Sequence, residues 1–512
     1  MSLNYKADIV FRNVSFIHSG RANSIAVKDS KIYLVGTDAQ TRDVTGSDTK
    51  TVDCQDMVMI PGFHDAHLHI LRLSANLTKL YCGPERACTI TRIKELLELE
   101  ARKIPQGGWV KAWGYDHELL LEKRHPNRGD LDRAVPNHPV RLDHVSGHAT
   151  VMNTMAMRKL GFSEYSVDPP KGVIDREEES GFPSGLFLDM GEYIGKSMIP
   201  YRDQSELQEG IILANQLLIS RGITAVQDAG IGNDLERWNL FKRLKTLGLL
   251  DPQVTMMVGY DYCEEFRHTP IATNPLRTGL YVGPAKIMLS LTTGSLVPGQ
   301  KSLTDAIVSL QSNGWQVAIH AVEQEAIECA AKAICSASKI KSGARHRIEH
   351  CSEGDPTVIS LVDKSGAIVV TNPGFVWHFG DKYRKTLGSN IVSNIYPTGS
   401  LENRGIPWAI GSDSPMIMPD PILDIYTCVT RFSKSGNPVG KEQTISGSQG
   451  LKAYTYGAAY SCFQERELGS LERGKFADLV LLSRDPTGLG YYLPADINVK
   501  MTVIRGKVVY EN

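Results

Sequence analysis

Through the second half of the chain, short apolar runs alternate with longer stretches of helical period. From about residue 206 the order is regular. A helix-like stretch at 206–221 precedes a strand at 223–228, and one at 235–249 precedes a strand at 253–260. A strand at 285–291 is followed by a helix at 303–312, a strand at 315–320 and a helix at 323–340. A strand at 346–350, a helix at 356–365 and strands at 367–371 and 406–411 complete the series. One earlier apolar run, Met57-Val58-Met59-Ile60, reads as a buried strand and brings the count to eight. Strands alternating with helices predict a parallel sheet, and eight of them predict a closed (β/α)8 barrel, a TIM-like α/β fold. The competing topology is an open, doubly wound sheet. Its phosphate-binding signature is missing, because Gly230-Ile231-Gly232 lacks a third glycine.

The ends of the chain read differently. Residues 7–17 and 24–35 are short strands with turns, and 477–482 and 499–510 supply matching strands, the last a hairpin around Arg505-Gly506-Lys507. Together they predict a small β-sandwich domain built from both termini, residues 1–60 plus 466–512, beside a barrel domain over 61–465. Residues 75–205 interrupt the repeat with helical patches and Pro/Gly-rich connections, and read as a long insertion after strand 1.

A chain of 512 residues is long for one ordinary core, which suits a barrel with attached parts. Lys and Arg number 56 against 57 Asp and Glu, a formal net charge of −1, so neither nucleic acid nor a charged membrane surface is an expected partner. No apolar run approaches membrane-spanning length. The nine cysteines include no C-x-x-C pair, and the first residues lack the apolar core of a signal peptide. Both features predict free thiols in a reducing cytoplasm. The expected partner is a small-molecule substrate, with a homodimer as an open option.

The chemistry starts at Pro61-Gly62-Phe63-His64-Asp65-Ala66-His67-Leu68-His69. His67 and His69 are two apart, a spacing that puts both imidazoles on one face of a strand. Further polar residues recur along the predicted strands. Lys286 lies in the fourth, His320 ends the fifth, His350 ends the sixth and Asp413 follows the eighth. In a barrel all C-terminal strand ends open on one face, so these six residues are expected to converge. Four imidazoles with carboxylates suit one or two divalent ions, zinc by default. Bound water then loses its proton near neutral pH and attacks, while Asp413 takes that proton and hands it to a leaving nitrogen. A lysine aimed at such a site makes sense as a neutral amine that has captured carbon dioxide. The product, an N6-carboxylysine at Lys286, is an anion with two oxygens able to bridge metals.

The order His-x-His, Lys, His, His, Asp on successive strands resembles the amidohydrolase superfamily. The stretch Ser470-Leu471-Glu472-Arg473-Gly474-Lys475-Phe476-Ala477-Asp478-Leu479-Val480 is similar to that family's return to its β-sandwich. The insertion, with Gly147-His148 inside it, resembles the amidohydrolase-3 branch, which includes N-substituted formamide deformylase-like proteins. The resemblance covers about 7–510 and implies a hydrolase acting on an amide-like C–N bond, with the carboxylated Lys286 bridging. One stretch departs from the branch: His320-Ala321-Val322-Glu323-Gln324 places a glutamate three residues after the histidine. That spacing resembles the superfamily's deaminases, where such a glutamate delivers protons to a ring nitrogen. Deamination of an amino-substituted heterocycle is therefore the alternative. A non-catalytic scaffold is disfavoured, because every ligand position is filled.

Each residue also has an ordinary reading. Lys286 fits a plain ion pair, Asp413 a helix N-cap before Pro415, and Glu323 a first-turn helix carboxylate. His148 reads as a substrate contact or as a loop residue. Trp377 reads as a pocket wall, with Trp109, Trp113 and His378, or as packing. Cys351 is expected to face away from His350, since adjacent strand residues alternate.

Overall fold

The chain passes from one sheet to another across a single residue, Gly62. On one side, Val58–Pro61 pairs antiparallel with Leu479–Leu482; on the other, Phe63–Leu68 pairs parallel with Ile223–Asp228. A Cβ on Gly62 would stand 2.1 Å from the Thr224 hydroxyl oxygen, so only glycine passes there. This corrects the assignment of residues 57–60. That run belongs to the terminal sheet, and the first barrel strand is the histidine-bearing segment itself. Hydrophobicity could not mark it, because Phe63-His64-Asp65-Ala66-His67-Leu68 is buried at every position while half its side chains are polar.

The computed structural model describes residues 6–17, 20–169, 172–197, 204–268, 275–291, 294–338, 343–490 and 492–512. The predicted helix end at 339–340, residues 1–5 and parts of the predicted insertion (170–171 and 198–203) lie outside them. Eight strands form one sheet: β1 (Phe63–Leu68), β2 (Ile223–Asp228), β3 (Gln253–Gly259), β4 (Leu280–Met288), β5 (Val317–Ala321), β6 (Arg347–His350), β7 (Ile368–Thr371) and β8 (Trp408–Ile410). They lie side by side in chain order and every pair is parallel. Just past β8 the chain returns to β1. The Asp413 N–H donates to the His67 carbonyl at 2.7 Å, and the His69 N–H donates to the Ser414 carbonyl at 2.8 Å. The sheet is therefore a nearly closed barrel, stitched at the C-terminal ends of its first and last strands.

The connecting helices bury one face each. In Gln300–Ser312 the buried positions Leu303, Ile307 and Leu310 recur at helical spacing, and Gln324–Ser338 buries an alanine-rich face with Ile327 and Ile334. Helix Pro356–Ser365 starts at Asp355, whose carboxylate accepts from the Val358 N–H, and stops at Gly366, which is left-handed at φ 67°.

Strands from both ends of the chain share an apolar core that includes Phe11, Ile25, Ile32, Met59, Leu479 and Val503. Four strands lie in the order Lys31–Gly36, Ser24–Lys28, Ile9–Arg12, Lys50–Asp53. Five lie in the order Ser15–Phe16, Val58–Pro61, Leu479–Leu482, Val499–Ile504, Lys507–Glu511. Residues Ile70–Ala214 pack as a separate compact unit around a six-stranded sheet, with Ile93, Leu97, Val110, Leu131, Val140 and Leu142 in its core. Among the described residues no helix is long and apolar enough to cross a membrane.

Candidate metal centre

His67 ends β1 with its ring buried and its orientation fixed. Its Nδ1 hydrogen-bonds Glu349 Oε2. Glu349 is in turn gripped by Arg347, with Nε donating to Oε1 at 2.8 Å and Nη2 donating to Oε2 at 3.0 Å. Arg347 also donates to the Ala66 carbonyl at 3.0 Å and to the Gln227 side-chain oxygen, so the pair is tied to β1 and β2. Arg347 and Glu349 are both fully buried. A carboxylate on Nδ1 directs the Nε2 lone pair of His67 toward the strand ends, the usual arrangement behind a metal-binding histidine.

Facing that lone pair is Asp413. Its Oδ1 lies 3.6 Å from His67 Nε2 and 3.2 Å from His69 Nε2. His350 completes the group: ligand atoms of His67, His350 and Asp413 all lie within 4.8 Å of one another. The backbone makes this reach possible. Arg347 and Glu349 share one face of β6, so simple alternation would turn His350 the other way. His350 and Cys351 instead adopt left-handed backbone, at φ 69° and 48°, and the His350 ring comes 4.8 Å from that of His67 and 4.5 Å from that of His320. Asp413 is left-handed too, at φ 55°. Such non-glycine residues store strain of about 1–3 kcal/mol each and cluster at functional sites. The His350 Nδ1–H donates to Asn372 Oδ1 at 2.8 Å, which leaves its Nε2 as the basic nitrogen.

Lys286 reaches the same region from β4. It is 2% exposed, and its Nζ has no hydrogen-bond partner. Burial pushes its ammonium down to about 8, against the attraction of Glu349 and Asp413. Burial likewise holds His67 and His350 below the usual imidazole range, with the Lys286 charge adding to the effect. Burial alone would raise the Asp413 carboxyl, but the His69 hydrogen bond and the neighbouring imidazoles hold it well below the usual range. Neutral imidazoles, an ionised carboxylate and an orphaned, easily deprotonated amine are a donor set that fits a divalent ion.

The depressed Lys286 value has a consequence for the metal-free protein. Between about 8 and the ordinary 10.5 the unfolded chain holds this proton and the folded chain does not, so stability rises with pH across that window. Urea midpoints measured from pH 8 to 10.5 rise more for the wild type than for Lys286→Met, which lacks the titrating group.

The remaining sequence-selected residues have other surroundings. Glu323 immediately precedes helix Gln324–Ser338, and its carbonyl accepts from the Ile327 N–H at 3.0 Å, as expected of a helix-start residue. Trp377, half-buried on helix Gly374–Thr386, packs edge-on against Tyr426 at 5.8 Å. Cys351 is fully buried, and burial pushes its thiol up to about 12. His148 belongs to the Ile70–Ala214 unit, where its exposed ring meets Asp189 Oδ1 at 2.6 Å.

Sequence reasoning missed Arg347, Glu349, Gln227 and Asn372, which hold the rings rather than present themselves. It also missed Asp65, which accepts the Ser412 N–H at 3.0 Å and ties β1 to the segment after β8. One signal was available: two opposite charges two apart, Arg347 and Glu349, in a short strand that is buried at every position. Gly411 matters for the same contact, since a Cβ there would meet the His67 backbone nitrogen at 2.7 Å. Gly411→Ala is expected to destabilise the protein by about 1–3 kcal/mol through overpacking and to loosen metal binding. Thermal melts with and without zinc check both effects.

An eight-stranded barrel gathering imidazoles, a carboxylate and a desolvated lysine at its strand ends defines a metal-dependent hydrolase of the amidohydrolase kind. The chain belongs to the amidohydrolase family, whose profile matches residues 50–510. It is 24% identical to an N-substituted formamide deformylase of Arthrobacter pascens, over 96% of this chain and 95% of that one. It is 22% identical to a 5-methylthioadenosine/S-adenosylhomocysteine deaminase of Caldanaerobacter subterraneus subsp. tengcongensis, over 64% and 70% of the two chains. Its fold is similar to that of an uncharacterised metal-dependent hydrolase from Pyrococcus horikoshii, with a TM-score of 0.75, 22% identity, and coverage of 95% of this chain and 99% of that one.

Proposed function

We propose that this amidohydrolase cleaves the C–N bond of an amide-like small molecule, with His67, His69, Lys286, His320, His350 and Asp413 holding one or two divalent ions, zinc by default. The observation that carries the reading is the convergence of His67, His350 and Asp413 beside the orphaned Lys286 amine. An ion held there would polarise the substrate carbonyl and acidify an attacking water. The protein's own contribution is positional. Glu349 keeps His67 in the tautomer that presents Nε2, and Asn372 does the same for His350. Asp413 accepts the proton of the attacking water and delivers it to the departing nitrogen, which needs protonation to leave. His69 Nε2 lies 3.2 Å from Asp413 Oδ1, so the two side chains face the same point. The partnerless Lys286 amine is suited to N-carboxylation. On the same reading residues 1–60 plus 466–512 are a composite β-sandwich domain, 61–465 the barrel domain, and 75–205 an insertion; Trp377 is a candidate substrate contact on the barrel, and His148 is one in the insertion.

A second reading rests on the His320-x-x-Glu323 spacing and on the deaminase relative: Glu323 donates a proton to a ring nitrogen and ammonia leaves. One screen separates the two. Zinc-reconstituted protein is offered N-formyl and N-acyl amines, dipeptides and amino-substituted heterocycles. The proposal expects release of a free amine from an N-acyl compound, abolished in Asp413→Ala. Ammonia release from a heterocycle, abolished in Glu323→Gln and with no N-acyl substrate turned over, would replace it with the second reading.

A further inference from the structure

The turn that carries His350 is held from two sides, and one buried arginine secures the second of them. On the upstream side the barrel holds it. His350 is the last residue of β6 to pair with β5, opposite Ala321, while pairing with β7 stops one residue earlier, at Glu349 opposite Val370. The Cys351 N–H then donates to the Ala321 carbonyl at 3.0 Å. His350 and Cys351 are left-handed without being glycine, and such backbone persists only where the surrounding structure over-determines it. The downstream hold comes from residues 394–396. The Tyr396 N–H donates to the Ser352 carbonyl at 2.7 Å, and the Gly354 N–H donates to the Asn394 carbonyl at 3.3 Å. Between these bonds Glu353 forms an antiparallel bridge with Ile395.

That downstream segment has a strained residue of its own, because Tyr396 is left-handed at φ 47°. Arg431 holds it from behind. Arg431 follows helix Pro421–Thr430, is itself left-handed at φ 52°, and is fully buried. Its Nη2 donates to the Ile395 carbonyl at 2.6 Å and its Nη1 to the Tyr396 carbonyl at 3.1 Å. Its Nε donates to the Val439 and Gly440 carbonyls at 3.1 and 3.2 Å. The guanidinium therefore grips four carbonyls from two stretches of chain. A planar fork with five donors can do this, whereas an ammonium on a flexible stem cannot reproduce the directions. Bond by bond, the path runs from Arg431 to Ile395 and Tyr396, from there to Ser352 and Glu353, and so to the far side of the His350 turn.

We propose that Arg431 is a positioning residue for the metal centre: by fixing the Ile395 and Tyr396 carbonyls it keeps the loop after β6 in the turn that aims His350 at the ion. This rests on the reading of His350 as a ligand.

The test uses the full-length chain, stripped with chelator and reloaded with zinc or cobalt, at a temperature where circular dichroism shows every variant folded. Arg431→Met is expected to weaken zinc binding about 10-fold, the lower end of the cost of losing a group that orients a ligand, and to change the visible absorption of the cobalt form. Arg431→Lys, which keeps the charge but not the fork, is expected to show the same two changes to a smaller extent, and serves if Arg431→Met does not fold. In Arg431→Ala, millimolar methylguanidinium is expected to restore zinc affinity. Leu303→Ala, a cavity in a barrel helix whose Leu303 is fully buried, is the control for lost stability alone: its Tm falls while zinc affinity and the cobalt spectrum stay at wild-type values. Arg431 variants that lose Tm but keep wild-type zinc affinity and cobalt spectrum, while His350→Ala weakens zinc, overturn the proposal and leave the metal reading intact. His350→Ala that binds zinc as tightly as the wild type overturns the reading of His350 as a ligand, and this proposal with it.

Discussion

Asp413→Asn lowers kcat by about 10²- to 10⁴-fold at saturating zinc, the span expected when a positioned general base is lost. The substitution is nearly isosteric and keeps the backbone bond from residue 413 to the His67 carbonyl, so the stitch that closes the barrel persists. What disappears is the anionic oxygen that faces His69 at 3.2 Å and His67 at 3.6 Å. Asparagine cannot accept a proton from water at neutral pH or return one to a leaving nitrogen. Steady-state kinetics on the best substrate of the screen, beside a circular-dichroism melt, separates loss of chemistry from loss of fold. A variant that folds, binds zinc and keeps more than a tenth of wild-type kcat would remove Asp413 from the proton path.

The second large effect lies one layer behind the metal. Glu349→Gln is expected to weaken zinc binding by about 10- to 100-fold, the usual cost of losing the group that orients a ligand histidine. It also leaves the fully buried Arg347 without its counter-charge, a change of about 3–5 kcal/mol in stability. The two effects are separable. Replacing both partners, as Arg347→Met with Glu349→Leu, removes the stranded charge and restores much of the stability. It does not restore the hydrogen bond to His67 Nδ1, so zinc affinity stays low. Urea unfolding and competitive zinc titration of the single and double variants measure the two quantities independently. Zinc affinity that recovered together with stability would show that Glu349 merely supports the fold.

The reach of the sequence differed with the kind of residue. The barrel strands after 206 were legible because each is a short apolar run beside an amphipathic helix, and the period changes at every boundary. The first strand was assigned to the wrong residues for the opposite reason: Phe63–Leu68 is buried yet carries His64, Asp65 and His67, and burial of polar groups has no hydropathy signature. Its place in the barrel depends on Gly62, on Thr224 across the gap, and on hydrogen bonds from Ser412 and Asp413, all contributed by distant sequence. The ligand candidates His67, His350 and Asp413 were legible because residue type and strand-end position coincide. The left-handed turn that brings His350 inward was not, since nothing in Arg347-Ile348-Glu349-His350-Cys351 announces a positive φ at a non-glycine residue. The orienting groups Glu349 and Asn372 escaped because their role exists only through a partner ring on another strand. Only residue type marks Trp377, and its described ring contact is with Tyr426.

The central claim is that the barrel's C-terminal strand ends hold a divalent ion between His67, His350 and Asp413, next to Lys286. Zinc-edge anomalous diffraction from crystals of the active, zinc-loaded enzyme tests it most directly. The account predicts a peak about 2.0–2.2 Å from His67 Nε2, His350 Nε2 and an Asp413 oxygen, with extra density extending the Lys286 amine toward it. Catalytically active crystals without an anomalous peak at these residues would contradict it.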